Sequence, residues 1–290
     1  MFKCVGILTQ STGDGVSRAF QATVSVLEKR ECTVYFLKDT PRPVVPEKYS
    51  LLEISEFADN CDLVISVGGD GTLLHTAGLL YPKDVALMGI NLGRLGFLTD
   101  LQPERVTTEL DAILGGAFQT EKRSVLGYEV YRGDSKIVEG NAVNDVVIHK
   151  WNIAKLITLS TYVNKKFLHS QRSDGILVAT PTGSTAYALS GGGPILEPDV
   201  AALALVPICP HTLTNRPIVI NDTAQIEIFV DTETEDEARL TCDGNVKADL
   251  KAGDRINIFQ RKQKIRLIHP ADHDHFSNLR AKLNWGRSPC

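Results

Sequence analysis

The sequence predicts two domains: a doubly wound α/β half followed by a mainly β half. Three observations carry this. Up to about residue 115, compact apolar segments alternate with segments of helical periodicity. From about residue 121, short alternating segments follow one another, separated by turn formers such as Gly133-Asp134 and Gly253-Asp254. The 290 residues also suit one large domain or two ordinary ones, with at least one substantial buried core.

Each element follows in order. CVGIL (4–8) is a compact apolar strand. Val16, Phe20, Val24 and Leu27 recur at three- and four-residue spacing, which is one face of a helix. TVYFL (33–37) is β-branched and aromatic, hence a strand, and a loop with Pro41, Pro43 and Pro46 follows. DLVISV (62–67) and DVALMGI (84–90) are apolar throughout, as strands covered on both faces of a parallel sheet must be. PERVTTELDAIL (103–114) places Pro and Glu in its first turn, a helix start. In the second half, GYEVYRG, KIVEGNAVNDVVIHK, AKLITLSTYVN, KFLHS, QIEIFVD, ARLTCDG, RINIFQRK and KIRLIHP read as strands. The acidic run Glu233 to Glu237 falls between two of them as a solvated hairpin tip. Phe276, Leu279 and Leu283 mark a short closing helix. The expected boundaries are 1–120 for the α/β domain, 121–268 for the β domain, and 269–290 for a tail packing back on the first.

Composition narrows the function. A net charge of −4 and the absence of a polybasic cluster argue against nucleic acid and membrane surfaces, leaving a small-molecule partner. No apolar run approaches the length of a transmembrane helix, and MFKCVGILTQ reads as a first strand rather than a signal peptide. The six cysteines are scattered without CxxC spacing, which fits a reducing, cytoplasmic location and no zinc site.

The densest chemical signal is GGDGT (68–72), which follows an apolar strand directly. Ligands of open α/β sheets bind beyond such strand ends, and Gly68 and Gly69 can take backbone angles that let N–H groups converge on an anion. It is not a Walker loop, because Gly71 is followed by Thr72-Leu73-Leu74 rather than Lys-Ser/Thr. Nor is it a dinucleotide fingerprint, whose third glycine would fall at Leu74. GINLGRLG (89–96) follows the next strand and should stand beside it. RSDGILVATPTGSTAYALSGGGP (172–194) is rich in small donors, with Thr180, Thr182, Ser184 and Thr185 close together, as a ligand-lining segment requires. It lacks the G-x-S-x-G of a serine hydrolase. His75 and His149 read as packing or hydrogen-bonding residues, and DHDHF (272–276) as a polar loop able to hold a metal only adventitiously.

Together these stretches resemble the NAD kinase family of bacterial type. GGDGT, GINLGRLGFLTD (89–100), EKR (121–123), NDVVIH (144–149), SDGILVATPTGSTAYALSGGGPI (173–195), PHTLTNRPIV (210–219) and CDG (242–244) appear in order over about three quarters of the chain. Lipid kinases and phosphofructokinases share the GGDG element, but TPTGSTAY together with GRLGFLTD separates the chain from both. The resemblance implies a Rossmann-like, phosphofructokinase-like α/β domain plus a β domain, and ATP-dependent phosphorylation of the 2′-hydroxyl of the adenosine ribose of NAD. It implies a divalent cation, Mg²⁺, carried mainly on the ATP phosphates, and a homodimer or homotetramer. Asp70 would be the catalytic acid–base residue and Gly71 its partner in the nucleotide loop. Asn144 and Asp145 would hold the adenosine part of NAD, with Lys155, Arg172 and Asp174 lining the same pocket. Thr185, Ala186, Tyr187, Ala188, Leu189 and Ser190 would enclose the dinucleotide, and Asn245 would add a polar contact. Asp145 stands where many relatives carry Glu, and Lys155 and Asn245 also depart from commoner forms. The competing readings are a lipid or sugar kinase sharing the glycine–acid loop, and a non-catalytic dinucleotide-binding regulator.

Overall fold

The computed structural model describes residues 2–41, 48–93, 96–152, 155–231 and 238–285. Pro43, Pro46, the acidic run 233–237, two residues of the GRLG loop and Cys290 therefore lie outside the described residues. The chain divides into two units, residues 1–122 with 265–290, and residues 123–264.

The first unit is built on a seven-stranded sheet. Its strands are β1 (Cys4–Leu8), β2 (Thr33–Leu37), β3 (Ser50–Leu52), β4 (Leu63–Gly68), β5 (Ala86–Asn91) and β6 (Phe118–Arg123), joined by a late strand, Ile265–Pro270. Their spatial order is β3-β2-β1-β4-β5, then Ile265–Pro270, then β6. The pairs from β3 across to Ile265–Pro270 are parallel. Strands β4 and β5 are buried at every residue, which explains why they are apolar but for Ser66 and Asn91. Four helices connect the strands: α1 (Asp14–Lys29), α2 (Ile54–Asn60), α3 (Asp70–Leu80) and α4 (Val106–Leu114). Helix α1 buries Val16, Phe20, Val24 and Leu27, the periodic set, and Phe20 stacks on Phe36 at 5.7 Å between ring centroids. Each such side chain contributes about 1.5–3 kcal/mol by leaving water. The strand order reverses between β1 and β4, and α3 starts at the carboxyl end of β4. Such a reversal opens a crevice at the sheet edge, so GGDGT sits where doubly wound folds bind ligands.

The strand Ile265–Pro270 departs from the sequence-based boundary at 268. KIRLIHP alternates like its neighbours in sequence, yet Arg266 and Leu267 pair in parallel with Ala86 and Leu87 of β5. Its place is decided by that long-range partner and not by its own pattern.

The second unit is a sandwich of two six-stranded antiparallel sheets. In chain order its strands are β7 (Leu126–Arg132), β8 (Ser135–Ala142), β9 (Asp145–Lys150), β10 (Ile157–Val163), β11 (Lys166–Ser173) and β12 (Gly175–Ala179). They continue with β13 (Ala202–Ile208), β14 (Ile218–Asn221), β15 (Ile226–Val230), β16 (Ala238–Cys242), β17 (Asn245–Leu250) and β18 (Arg255–Gln260). Ile265–Pro270 is accordingly β19, and a last helix, His275–Leu283, follows it in the first unit. One sheet runs β11-β10-β15-β18-β7-β8 and the other β14-β13-β12-β9-β16-β17. Their facing sides share one core, including Tyr128, Leu159, Ile228 and Ile258 from one sheet and Val146, Ile176, Leu203 and Leu240 from the other. The other face of the second sheet packs Val147, Leu177, Ala204 and Val206 under Ala188 and Leu196 of the 180–197 segment. That second layer is why β12 and β13 are buried at every residue. No helix among the described residues is long and apolar enough to cross a membrane.

Candidate active site

In the first unit the site begins where two parallel strands end side by side. Gly68, the last residue of β4, lies opposite Asn91, the last of β5, and Leu92 donates to the Gly68 carbonyl at 3.0 Å. The first part of GINLGRLG, residues 89–93, therefore stands next to GGDGT at one sheet edge, as its sequence position requires. Gly69 caps α3 and Asp70 is its first residue. The N–H groups of Thr72 and Leu73 are taken by the Gly69 carbonyl, at 3.0 and 3.2 Å. Those of Asp70 and Gly71 have no i−4 helical carbonyl to reach, so they face outward as first-turn donors do.

The glycines serve closeness and space, not unusual angles. None of Gly68, Gly69 and Gly71 has a positive φ. At Gly68 a Cβ would lie 2.3 Å from Thr72 Oγ1, whereas nothing lies within 4 Å of the Cβ positions of Gly69 and Gly71. The loop is thus bare on its outer side, which suits the approach of a phosphate chain.

The Asp70 side chain is held by the Phe97–Thr99 segment. Its Oδ1 accepts from the N–H groups of Leu98 and Thr99, both at 3.1 Å, and from the Thr99 hydroxyl at 2.9 Å. Its Oδ2 accepts from the Phe97 N–H at 2.7 Å. Four donors from one short segment fix both the position and the rotation of the carboxylate. Oδ1 is filled, and Oδ2 is the oxygen with room for one more donor. This grip depends on Gly96, where a Cβ would come within 2.0 Å of Asp70 Oδ1 and 2.1 Å of Thr99 Oγ1.

The second unit gathers most of the other expected residues around the start of β9. The Asp243 carboxylate accepts from the N–H groups of Val143, Asn144 and Asp145, at 2.8, 2.7 and 3.2 Å, and so pins the chain entering that strand. Asp243 has φ +47°, in the left-handed region that Asp tolerates, at the CDG turn between β16 and β17. Asn245 completes this turn by donating to the Asp243 carbonyl at 3.0 Å. Asn144 is half-buried, and its Oδ1 is buried without a hydrogen-bond partner, an acceptor left for a ligand.

Asp145 is 4% exposed, and no hydrogen bond to its carboxylate is found among the described residues. Burial, with the nearby Asp243 charge, pushes this carboxyl up to about 7. Burial also raises Asp243, against the pull of its three backbone donors. Tyr187 is half-exposed, and its phenol is pushed up by burial and then by Cys209, Asp174 and Asp145. Asp174 and Asp145 are thus each within electrostatic reach of the Tyr187 phenol. Asp174 pairs with Lys150 at 2.6 Å. Arg172 is exposed at the end of β11, and its carbonyl accepts from the His211 N–H at 2.8 Å. Lys155 is exposed before β10, and Ile157 opposite Ser173 brings the chain into that strand from the Asp174 end.

The small donors of 172–194 divide differently from the sequence-based expectation. Thr180 donates to the Val143 carbonyl at 2.6 Å, and Ser184 donates to the Pro181 carbonyl at 2.6 Å while accepting from the Leu196 N–H. With Thr182 these residues are buried and hold the bend itself. Gly183 lets that bend cross the chain at Asn144, since a Cβ there would lie 2.1 Å from the Asn144 carbonyl oxygen. Thr185 donates to the Thr182 carbonyl at 3.2 Å. Ala188 faces the core with Leu177 and Ala204, so its side chain shapes the segment and does not line a surface. Ala186 and Leu189 are half-buried, which leaves Tyr187 and Ser190 as the outward groups. His149 bonds Thr241 Oγ1 at 2.9 Å, in keeping with a structural role.

Sequence reasoning assigned no role to Thr99, Gly96 and Asp243. GRLGFLTD and CDG were visible as motifs, but the donors that matter there are backbone N–H groups, which residue identities do not advertise.

Comparison with known proteins accounts for this arrangement. Residues 8–118 match the ATP-NAD kinase N-terminal domain, and residues 143–270 the ATP-NAD kinase C-terminal domain. The chain is 43% identical to an NAD kinase of Nitrosococcus oceani over 286 residues, covering 99% of this chain and 98% of that one. It is 41% identical to an NAD kinase of Halorhodospira halophila, covering 100% and 95% respectively. Among solved structures, it is similar to yeast NADH kinase complexed with NADH, with a TM-score of 0.89 and 25% identity over 99% of this chain and 89% of that one. An NAD kinase from Archaeoglobus fulgidus in complex with ATP matches with a TM-score of 0.74 and 26% identity, over 97% and 98%. The chain belongs to the ATP-NAD kinase family.

Proposed function

We propose how the residues of this chain perform the ATP-dependent phosphorylation of NAD for which its family is named. The product is NADP, formed at the 2′-hydroxyl of the adenosine ribose. Phosphoryl transfer proceeds through a loose transition state, so the protein acts mainly by alignment and charge placement. Asp70 receives the attacking hydroxyl on Oδ2, the carboxylate oxygen with a single donor, and takes its proton as the bond to phosphorus forms. The bare outer side of Gly69 and Gly71, with the first-turn N–H groups of α3, accommodates the phosphate chain of ATP. Asn144 and Asp145 hold the adenosine, with Asp174, Tyr187, Ser190 and Asn245 around it, and Lys155 and Arg172 supply positive charge.

A magnesium ion fits this donor set only through its substrate. Oδ1 of Asp70 is filled by three donors and Oδ2 takes the attacking hydroxyl, so the ATP phosphates would supply most of the ligands. When bound, the ion neutralises phosphate charge. The homodimer or homotetramer and the cytoplasmic setting are part of the same reading, supported by the family resemblance and by free thiols at Cys4, Cys32, Cys61, Cys209 and Cys242.

The observation that carries the proposal is the four-donor clamp on Asp70 beside a loop left open for phosphate. Mixing the protein with ATP, Mg²⁺ and NAD should give NADP, measured by a cycling enzyme. Folded protein yielding none would favour a non-catalytic dinucleotide regulator, and turnover of a diacylglycerol or sugar instead would favour a lipid or sugar kinase.

A further inference from the structure

The polar loop DHDHF takes no part in the chemistry above, yet it contributes to a buried side-chain cluster in the first unit. His269 of β19 and His273 just beyond it stack with ring centroids 4.1 Å apart. Both turn Nδ1 toward one oxygen, Oδ2 of Asp100, with His273 at 3.1 Å and His269 closer still. The three ligand atoms lie within 4.8 Å of one another. The side chains are 11%, 2% and 10% exposed for Asp100, His269 and His273.

We propose that Asp100, His269 and His273 form a binding site for one divalent transition-metal ion of the zinc class, held through two imidazole nitrogens and one carboxylate oxygen. Two ligands of a tetrahedral zinc stand ~3.3 Å apart, given metal–ligand bonds of ~2.0–2.1 Å. The His273–Asp100 spacing is close to that and the His269–Asp100 contact is shorter, so the cluster must open at His269 to admit an ion. The supporting groups are those that metal sites use. Oε2 of Glu121 lies 3.0 Å from Nε2 of His269, a charge contact without hydrogen-bond geometry, while Nδ1 of the same ring faces Asp100. Asn278 donates to Oδ1 of Asp100 at 3.2 Å, aiming Oδ2 at the histidines. Nε2 of His273 is buried without a hydrogen-bond partner.

Charge and access point the same way. The cluster opens on a cavity of about 310 Å³ whose wall includes Arg105, Glu109, Asp272 and Asp274. Arg105 is paired with Glu109 at 2.6 Å, so the carboxylates outweigh the cation. A cavity of this size leaves room for water to complete the coordination. The mixed nitrogen–oxygen set favours zinc, nickel or cobalt over magnesium, which takes oxygen ligands. Binding would replace the protons shared between Asp100 and the two rings and release them to solvent. It would also tie β19 and the segment after it to Asp100, which directly follows the Phe97–Thr99 clamp on Asp70.

The test uses the full chain, stripped with a chelator and titrated with Co²⁺ and then Zn²⁺ in excess Mg²⁺. One equivalent of Co²⁺ should bind with the d–d absorption of a low-symmetry nitrogen–oxygen site. Zn²⁺ should displace it, release protons and raise Tm. His273→Phe keeps the stacked ring and removes both nitrogens, and should abolish the absorption, the proton release and the Tm rise. Asp100→Asn serves the same purpose if His273→Phe does not fold. Equal binding by wild type and variant, or none by wild type, would overturn the proposal.

Discussion

Two aspartates, one in each unit, show opposite solutions to placing a carboxylate in a site. Asp70 stands at a helix start with four donors upon it, three of them backbone N–H groups that no side-chain motion can withdraw. Asp145 is more deeply buried, faces a second carboxylate and receives no donor among the described residues. The first is completed by the protein, and the second, in the proposed reading, is completed by the ligand. A group that must meet a reacting atom gains from being fixed beforehand, because reorganisation then costs nothing during the reaction. A group that recognises a substrate can be left unsatisfied, and its desolvation is relieved when substrate donors arrive.

The sharpest way to break this contrast is at Asp70. Asp70→Asn should lower kcat by ~10²–10⁴-fold, the usual contribution of a positioned acid–base group. It should also destabilise the fold by roughly 1.5–3 kcal/mol, because the amide nitrogen must face one of the N–H donors now on the carboxylate. Steady-state assay of NADP formation, with thermal denaturation beside it, separates the two effects. Near-normal turnover would remove Asp70 from the mechanism.

Gly96→Ala tests whether the clamp, and not only the carboxylate, matters. The new methyl would displace Asp70 Oδ1 and Thr99 Oγ1 by about 1 Å, and a misplacement of that size can cost ~10²-fold in rate. KM for NAD should change little, since the residues proposed to hold the adenosine are elsewhere in the chain. A loss carried by KM with kcat intact would mean that the clamp serves binding.

The same two regions show what the sequence could disclose. β4 and β5 were legible because strands buried on both faces must be apolar throughout, and GGDGT was legible because it follows one of them. Asp70 was found as a residue type in a loop. The clamp around it was not, because Phe97 and Leu98 act through main-chain N–H groups that any residue possesses. The pairing of β19 with β5 was not legible in KIRLIHP, because sheet membership is set by a partner some 180 residues earlier in the chain. Thr180 and Ser184 looked like ligand donors because composition does not reveal which way a hydroxyl turns, and here both turn inward to hold the bend.

The smallest effect on catalysis, and the one most specific to the contrast, belongs to Asp145. Its carboxyl is raised on folding from the ordinary range, near 4, to about 7. The native state therefore binds this proton more tightly than the unfolded chain does. The stability it contributes is present below pH ~4 and is lost as pH rises toward ~7. Asp145→Asn removes the titration while keeping the shape. The variant should then be more stable than wild type at pH 8, by on the order of a few kcal/mol given 1.36 kcal/mol per pKa unit. The gain should shrink on acidification and vanish near pH 4, which thermal denaturation across that range would read. Binding should move the other way, with KM for NAD rising as a substrate partner is lost. A variant no more stable at pH 8 than at pH 4 would show that Asp145 is already satisfied in the free protein. The distinction between a completed carboxylate and a waiting one would then fail on the side of Asp145.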